Sequence, residues 1–114
     1  TIYKISSKEN WLMIRIYIKN KKIEVVGHAD YADYGKDIVC ASASAIIITS
    51  INAALKLNNK SLEYKEETNK LTINILISDD NTKKIIDNML SLLEDLAKTY
   101  KKNVKIIKEE ELWN

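Results

Sequence analysis

The chain has 114 residues, of which 46% are hydrophobic and 30% charged, proportions typical of one compact domain that buries its own core. Eighteen basic and sixteen acidic side chains leave a formal net charge of +2, which argues against the concentrated basic face of a nucleic-acid-binding protein. A single cysteine cannot form an intrachain disulfide, so nothing in the composition indicates an oxidising compartment, and we expect a cytoplasmic protein.

Positions 11–18 show a period of two, with aliphatic residues on one face and Trp11, Met13, Arg15 and Tyr17 on the other, which predicts a first strand. After a turn at 19–22, residues 23–26 continue as its hairpin partner. The long apolar stretch at 38–57 is interrupted by serine, threonine and asparagine, unlike the ~20 nearly continuous apolar residues of a membrane span. It therefore predicts a buried helix, with Asp37 as its N-cap.

The second half of the chain repeats this order of elements loosely. A second hairpin is predicted from strands at 62–66 and 71–77, a second helix after residues 78–80, and a last strand at 104–107. The residues beyond that strand are expected to fray. The predicted fold is α+β, a single sheet of about five strands with two helices on one face. The other face of the sheet then needs cover, and a dimer contact is one use for it.

No export signal is expected, because polar residues interrupt positions 4–10 where an apolar signal core would lie. No membrane partner is expected either. The lysine pair at 101–102 and the glutamate run at 109–111 are interpreted as solvated surface.

The chemically distinctive residues are concentrated in one short segment. The only histidine, the only cysteine and both glycines fall within residues 27–40. A thiol is only a few per cent thiolate at neutral pH, so it needs a base or a positive potential to become reactive. This segment offers both, which makes His28 and Cys40 a candidate catalytic pair.

The predicted local structure explains how such a pair would work. With Asp37 as the cap, Cys40 lies in the first turn of the helix, where unpaired N–H groups and the helix dipole favour an anion. His28, at the end of the second strand, can pair with the sulfur and later donate a proton to a departing amine. Ser44 lies one turn beyond Cys40 on the same helix face and is given a supporting role. These parts favour acyl transfer.

A structural interpretation competes with the catalytic one. Judged by residue types alone, a lone cysteine and a lone histidine are more often a small core residue and a surface imidazole. Their positions at a strand end and a capped helix start favour catalysis. Asp30, Asp33 and Asp37 with His28 match neither a calcium loop nor a four-ligand zinc set, so we expect no metal and no cofactor.

The blocks Gly27-His28-Ala29 and Tyr34-Gly35-Lys36-Asp37-Ile38-Val39-Cys40-Ala41, followed by Ser44, resemble the signature of the bacterial ribosomal-processing cysteine protease family, called Prp. The resemblance extends over nearly the whole chain from Met13, mostly as hydrophobic pattern outside the signature. It implies a cytoplasmic, homodimeric cysteine protease that removes a short N-terminal extension from large-subunit ribosomal protein L-twenty-seven.

The same resemblance implies roles for individual residues. His28 and Cys40 match the catalytic dyad, and Asp37 and Ser44 match residues that support the site. A loop thought to move when substrate binds corresponds to Gly27, Ala29, Asp30, Tyr31, Ala32, Asp33, Tyr34, Gly35 and Lys36.

Two features depart from the family pattern. Ser42 stands where glycine or alanine is expected, and residues 1–12 precede the usual start of family chains. We therefore assign residues 13–114 to one protease domain and residues 1–12 to an additional segment.

Two functional hypotheses of different class follow. The first is the endopeptidase described above. The second is a non-catalytic, ribosome-associated peptide-binding or assembly module that uses the same loop without cutting. RNA binding is a third possibility, but the near-neutral net charge does not favour it, and no direct nucleic-acid binding is expected.

Overall fold

The computed structural model describes residues 13–27 and 38–114. Within them, five strands and two helices alternate in the predicted order. They are β1 (Ile14–Lys19), β2 (Lys22–Val26), α1 (Ile38–Leu57), β3 (Leu62–Glu67), β4 (Lys70–Ile75), α2 (Asp80–Thr99) and β5 (Val104–Lys108). The predicted α+β class is confirmed.

All five strands form one mixed sheet in the order β3-β4-β2-β1-β5. The β1–β2, β2–β4 and β3–β4 pairs are antiparallel, whereas β1 and β5 are parallel, with Ile14 opposite Val104. The parallel pair places the last strand beside the first, so β5 and β3 are the two edges of the sheet.

Both helices cover one face of this sheet, as predicted. Alternate strand residues on that face are buried in the same apolar cluster as the inward sides of the helices. The strands contribute Ile14, Ile16, Ile18, Ile23, Val25, Leu71, Ile73, Ile75 and Val104, and the helices contribute Ala43, Ile47, Ile51, Ala54, Ile86, Met89 and Leu93.

Helix α1 is long and apolar enough to cross a membrane when only its length and composition are considered, a test that the core helix of a globular protein also passes. In this fold one side of α1 packs into the core, with buried residues recurring every three or four positions from Val39 to Ala54. Its apolar character is therefore explained by burial against the sheet.

Helix α2 begins at the predicted capping residues. The Asp79 carboxylate accepts a hydrogen bond from the backbone N–H of Thr82 at 2.8 Å, which satisfies one of the unpaired donors of the first turn. Hydrogen bonds from the side chain and then the backbone of Thr82 lower the pKa of Asp79 below its ordinary value.

The opposite face of the sheet is polar, and an ion-pair network centres on Glu24. The Nζ atoms of Lys19 and Lys70 lie 2.8 Å and 3.1 Å from its two carboxylate oxygens. Hydrogen bonds from Lys19 and then Lys70 lower the pKa of Glu24. In turn, the hydrogen bond to Glu24 is the main cause of the raised pKa of Lys19, whose Nζ also lies 3.7 Å from Glu109.

The residues after β5 are docked, so the expectation that they fray is wrong. The side chain of Leu112 is buried, and its carbonyl oxygen accepts a hydrogen bond from the N–H of Lys21 at 2.8 Å. The indole Nε1–H of Trp113 donates to Asp87 at 2.8 Å, and the Asn20 amide donates to the carbonyl of Asn114 at 3.0 Å. The C-terminal tail therefore joins the β1–β2 turn to α2.

Candidate active site

The position of α1 along the sheet follows from contacts at its C-terminal end. The Ser61 hydroxyl donates to the carbonyl of Ala54 at 3.3 Å, which fixes the end of α1 beside the start of β3. Ile75, in the last pair of the β3–β4 ladder, donates its N–H to the carbonyl of Lys21 in the β1–β2 turn at 2.9 Å. Helix α1 thus ends at the β1–β2 turn end of the sheet.

The N-terminal end of α1 therefore lies at the other end of the sheet. Its 20 residues span about 30 Å, whereas a strand of five or six residues spans about 20 Å. At that other end β2 stops at Val26 and Gly27 follows. The start of α1 and the exit of β2 consequently share one end of the sheet, which we call the Gly27 end.

Cys40 is the third residue of α1 and lies in its first turn. Its side chain is 4% exposed and belongs to the core cluster together with Val39 and Ala43. The first turn of α1 contains no acidic side chain. The sulfur therefore lies within reach of first-turn N–H groups whose partial positive charge no carboxylate of that turn offsets.

Ser44 lies one helical turn after Cys40 and is half-buried. Residues four apart share a helix face, so the two side chains lie on the same side of α1, as the spacing predicts. Between them Ala43 is completely buried in the same core cluster as Cys40.

Gly27 has a φ of 87°, a left-handed conformation that glycine adopts without the steric penalty of a Cβ atom. Its N–H donates to the carbonyl oxygen of Asn69 at 3.0 Å, so the β3–β4 turn holds the chain at this point. The sequence did not reveal the contribution of Asn69, because a backbone carbonyl leaves no side-chain signal.

Of the predicted site residues, the structure describes Gly27, Cys40 and Ser44. It brings Gly27 and the first turn of α1 to the same end of the sheet. The remaining predicted residues lie outside the described part of the chain, namely His28, Ala29, Asp30, Tyr31, Ala32, Asp33, Tyr34, Gly35, Lys36 and Asp37.

Within residues 13–27 and 38–114, no three histidine, cysteine or acidic side chains lie together in a way that could hold a metal ion. A groove of about 590 Å³ is formed by α2, β5 and the C-terminal tail. Its walls include Ile18, Leu90 and Trp113, and none of the described site residues, Gly27, Cys40 and Ser44, contributes to them. The groove is therefore separate from the candidate active site.

The description of one protein family, cysteine protease Prp, fits residues 13–105 of this chain. The chain belongs to the Prp family of cysteine proteases. The ribosomal processing cysteine protease Prp of Staphylococcus aureus is 34% identical to it over 83 residues, which cover 70% of this chain and 78% of the relative. The Bacillus subtilis protein of the same name is 28% identical over 90 residues, covering 73% of this chain and 80% of the relative.

Crystal structures of Prp from S. aureus share this fold. The complex with a covalently linked product peptide matches with a TM-score of 0.73 and 26% identity, covering 85% of this chain and 98% of that one. The complex with a substrate peptide matches over the same shares with a TM-score of 0.72 and 25% identity. A Streptococcus mutans protein, 22% identical with a TM-score of 0.75 over 87% of this chain and 96% of its own, shares the fold. The resemblance to Prp is confirmed.

Proposed function

We propose that this protein is a cytoplasmic cysteine endopeptidase that removes the N-terminal extension of large-subunit ribosomal protein L-twenty-seven during ribosome maturation. Membership of the Prp family supports the class of enzyme. The S. aureus relative is named for ribosomal processing, and it has been crystallised with a substrate peptide and with a covalently linked product peptide. These complexes support a peptide segment of a ribosomal protein as the substrate.

The observation that carries the proposal is the position of Cys40 in the first turn of α1, at the Gly27 end of the sheet. His28 follows Gly27 directly in the sequence, so it is one residue from that end. A thiol at a helix start and an imidazole attached beside it are the two groups that acyl transfer by a cysteine nucleophile requires.

In the proposed reaction, the Cys40 thiolate attacks the scissile carbonyl carbon and forms a tetrahedral intermediate. First-turn N–H groups of α1 stabilise its oxyanion, and in other enzymes one such donor contributes roughly 3 kcal/mol. The His28 imidazolium then protonates the departing amine, which leaves a thioester on Cys40. Water, deprotonated by His28, attacks the thioester, and the thiolate is released with the free carboxyl group.

Asp37 and Ser44 have supporting roles in this proposal. Asp37 immediately precedes the first residue of α1, the position from which a carboxylate caps a helix and holds its first turn in place. Ser44, half-buried one turn below Cys40, helps to fix the surroundings of the sulfur.

The burial of Cys40 adds a conformational requirement. A thiol that is 4% exposed does not meet a peptide carbonyl at bonding distance until neighbouring groups move aside. We propose that the loop formed by Gly27 and residues 29–36 makes this movement when substrate binds. Substrate binding and exposure of the nucleophile are then one event.

The test is incubation of extended L-twenty-seven with the reduced protein, followed by mass spectrometry of the substrate. Cys40→Ala is expected to give no product, and His28→Ala to lower turnover by several orders of magnitude. Ser42→Ala is the matched control, since alanine suits that position, and it should cut normally. Product formed by pure Cys40→Ala protein would reject Cys40 as the nucleophile.

The same assay separates the alternative, a peptide-binding or assembly module without catalysis. Such a module would retain the extended protein on an affinity column and leave it uncut under reducing conditions. We also propose a homodimer, in keeping with the resemblance to Prp. Sedimentation equilibrium of the full chain tests it, and a monomer mass at all concentrations would reject it.

A further inference from the structure

The outer face of the sheet, opposite the helices, is rich in cations. The strand residues on this face include six basic and three acidic side chains in the described part of the chain. They are Arg15, Lys19, Lys22, Lys65, Lys70 and Lys105 against Glu24, Glu63 and Glu67. Six basic minus three acidic side chains give this face an excess of three positive charges, more than the net charge of +2 of the whole chain. The fold therefore concentrates positive charge on one face, which the overall composition does not reveal.

Two of these cations occupy an electrostatically unfavourable arrangement. Arg15 on β1 lies directly opposite Lys105 on β5 in the parallel ladder. Like charges at directly opposed positions destabilise a sheet. Neither Arg15 nor Lys105 takes part in an ion pair of the described residues, whereas Lys19 and Lys70 both pair with Glu24. An external anion would relieve this repulsion.

The turn before β5 adds two more cations beside this pair. Lys101 and Lys102 are exposed, and Asn103 accepts the N–H of Ile14 through its carbonyl at 2.7 Å, which holds the turn against the start of β1. We call Arg15, Lys101, Lys102 and Lys105 the basic corner. The half-buried ring of Tyr17, two residues along β1, lies on the same face as Arg15.

The glutamates that follow β5 lie beyond its far end. Residues 109–111 are three consecutive glutamates, and the first of them is four residues from Lys105. That is a separation of about 13 Å, beyond the Debye length of about 8 Å at physiological salt. Within the described part of the chain, these glutamates therefore do not neutralise the basic corner.

We propose that the basic corner binds the phosphate backbone of RNA and docks the protein on the ribosomal particle. A polyanion suits four neighbouring cations that take part in no ion pair of the described residues and that lie next to an aromatic ring. A second copy of this chain suits them less, because a two-fold axis at this corner would bring the same cations together. The choice of RNA among polyanions rests on the proposed function, since a ribosomal-protein substrate is assembled on RNA.

The basic corner lies at the Gly27 end of the sheet, because Arg15 pairs with Val26, but on the face opposite the candidate active site. Cys40 lies on α1, which covers the inner face of the sheet, whereas Arg15 and Lys105 lie on the outer face. A protein bound to RNA through the basic corner consequently leaves the start of α1 free to meet a peptide. The small net charge of +2 gives no sign of nucleic-acid binding, because a sum over residues does not record their position.

The test is fluorescence anisotropy of a labelled 20-nucleotide single-stranded RNA of mixed sequence, titrated with the full chain and no peptide. With four phosphate contacts, the slope of log affinity against log salt concentration should be about −3. The affinity for RNA should therefore fall about 50-fold between 50 and 200 mM salt. The variant Arg15→Gln, Lys101→Gln, Lys102→Gln, Lys105→Gln should bind at least tenfold more weakly with a nearly flat salt dependence.

The matched control removes the same charge from four exposed lysines elsewhere, as Lys56→Gln, Lys60→Gln, Lys65→Gln, Lys84→Gln. This control should bind the RNA with the affinity and the salt dependence of the wild-type chain. Thermal melts followed by circular dichroism establish that both variants fold. Equal binding by the two variants, or no binding by the wild-type chain, overturns the proposal. The proposal is also overturned if a labelled polyglutamate peptide binds the basic corner as tightly as RNA does. It is overturned as well if the four substitutions in the basic corner change only the mass measured by sedimentation and not the binding of RNA. None of these outcomes depends on whether the protein cuts a peptide.

Discussion

The docked C-terminal tail leads to a quantitative prediction about Leu112. Its side chain is 5% exposed, and it packs between α2 and the β1–β2 turn. Full burial of a leucine stabilises a fold by about 1.5–3 kcal/mol, and Leu→Ala changes at buried sites cost about 2–5 kcal/mol. The tail is close to solvent and can relax, so we expect Leu112→Ala to lower the free energy of unfolding by about 2 kcal/mol.

In a domain of this size 1 kcal/mol corresponds to about 4 °C, so the melting temperature should fall by about 8 °C. The assay is urea and thermal unfolding followed by circular dichroism at 222 nm. Leu57→Ala is the control, because Leu57 is 61% exposed at the end of α1 and the same atoms are removed there. Equal losses for the two variants would show that the tail contributes nothing to stability and would refute the docking.

Three further predictions concern backbone geometry and charge. Gly27→Ala should destabilise the protein by about 1–2 kcal/mol in urea unfolding, because its φ of 87° penalises a Cβ atom; an unchanged midpoint would contradict that conformation. The pKa of Glu24 is lowered mainly by Lys19, so its contribution to stability is complete above the ordinary value of 4.5 and is lost as pH falls through the lowered pKa. Glu24→Gln should therefore flatten the acid limb of stability measured from pH 6 to 2, and an identical limb would exclude this ion pair as its source. Asp79 has its pKa lowered by Thr82, and Asp79→Ser, which keeps a capping oxygen, should remove a further part of the same acid dependence, whereas an unaltered profile would rule out the charged cap.

The periodicity of the sequence was sufficient to predict all seven elements, but it misjudged their ends. The alternating pattern continues to Ile77, whereas β4 ends at Ile75. The N–H groups of Leu76 and Ile77 both donate to the carbonyl of Ser61, at 2.8 and 3.0 Å, and this contact turns the chain out of the ladder. A backbone acceptor from another segment leaves no trace in the local pattern, so sequence alone does not locate this boundary.

The tail shows the same limit at longer range. Leu112 and Trp113 follow three glutamates, and a short apolar pair after a charged run resembles a solvated terminus. Its docking depends on Asp87 and Lys21, which come from two other elements. Only the tertiary fold brings these partners together.

For the candidate site, the sequence predicted the helix that begins at Ile38 and so the first-turn position of Cys40, and the structure confirms that helix. The sequence did not decide whether Cys40 is buried, because a core position and a reactive position were both open to it and burial depends on how α1 packs into the core cluster with Val39 and Ala43. The catalytic roles of His28 and Cys40 remain predictions that the cleavage assay tests.

The parallel pairing of β1 with β5 has a consequence for biosynthesis. Ile14 finds its neighbour only when Val104 has been synthesised, so one flank of a central strand stays unpaired until residue 104 has left the exit tunnel. Nascent chains that stop short of residue 104 therefore expose a hydrophobic strand edge that another molecule can capture. Completion of the sheet accordingly waits for the synthesis of β5.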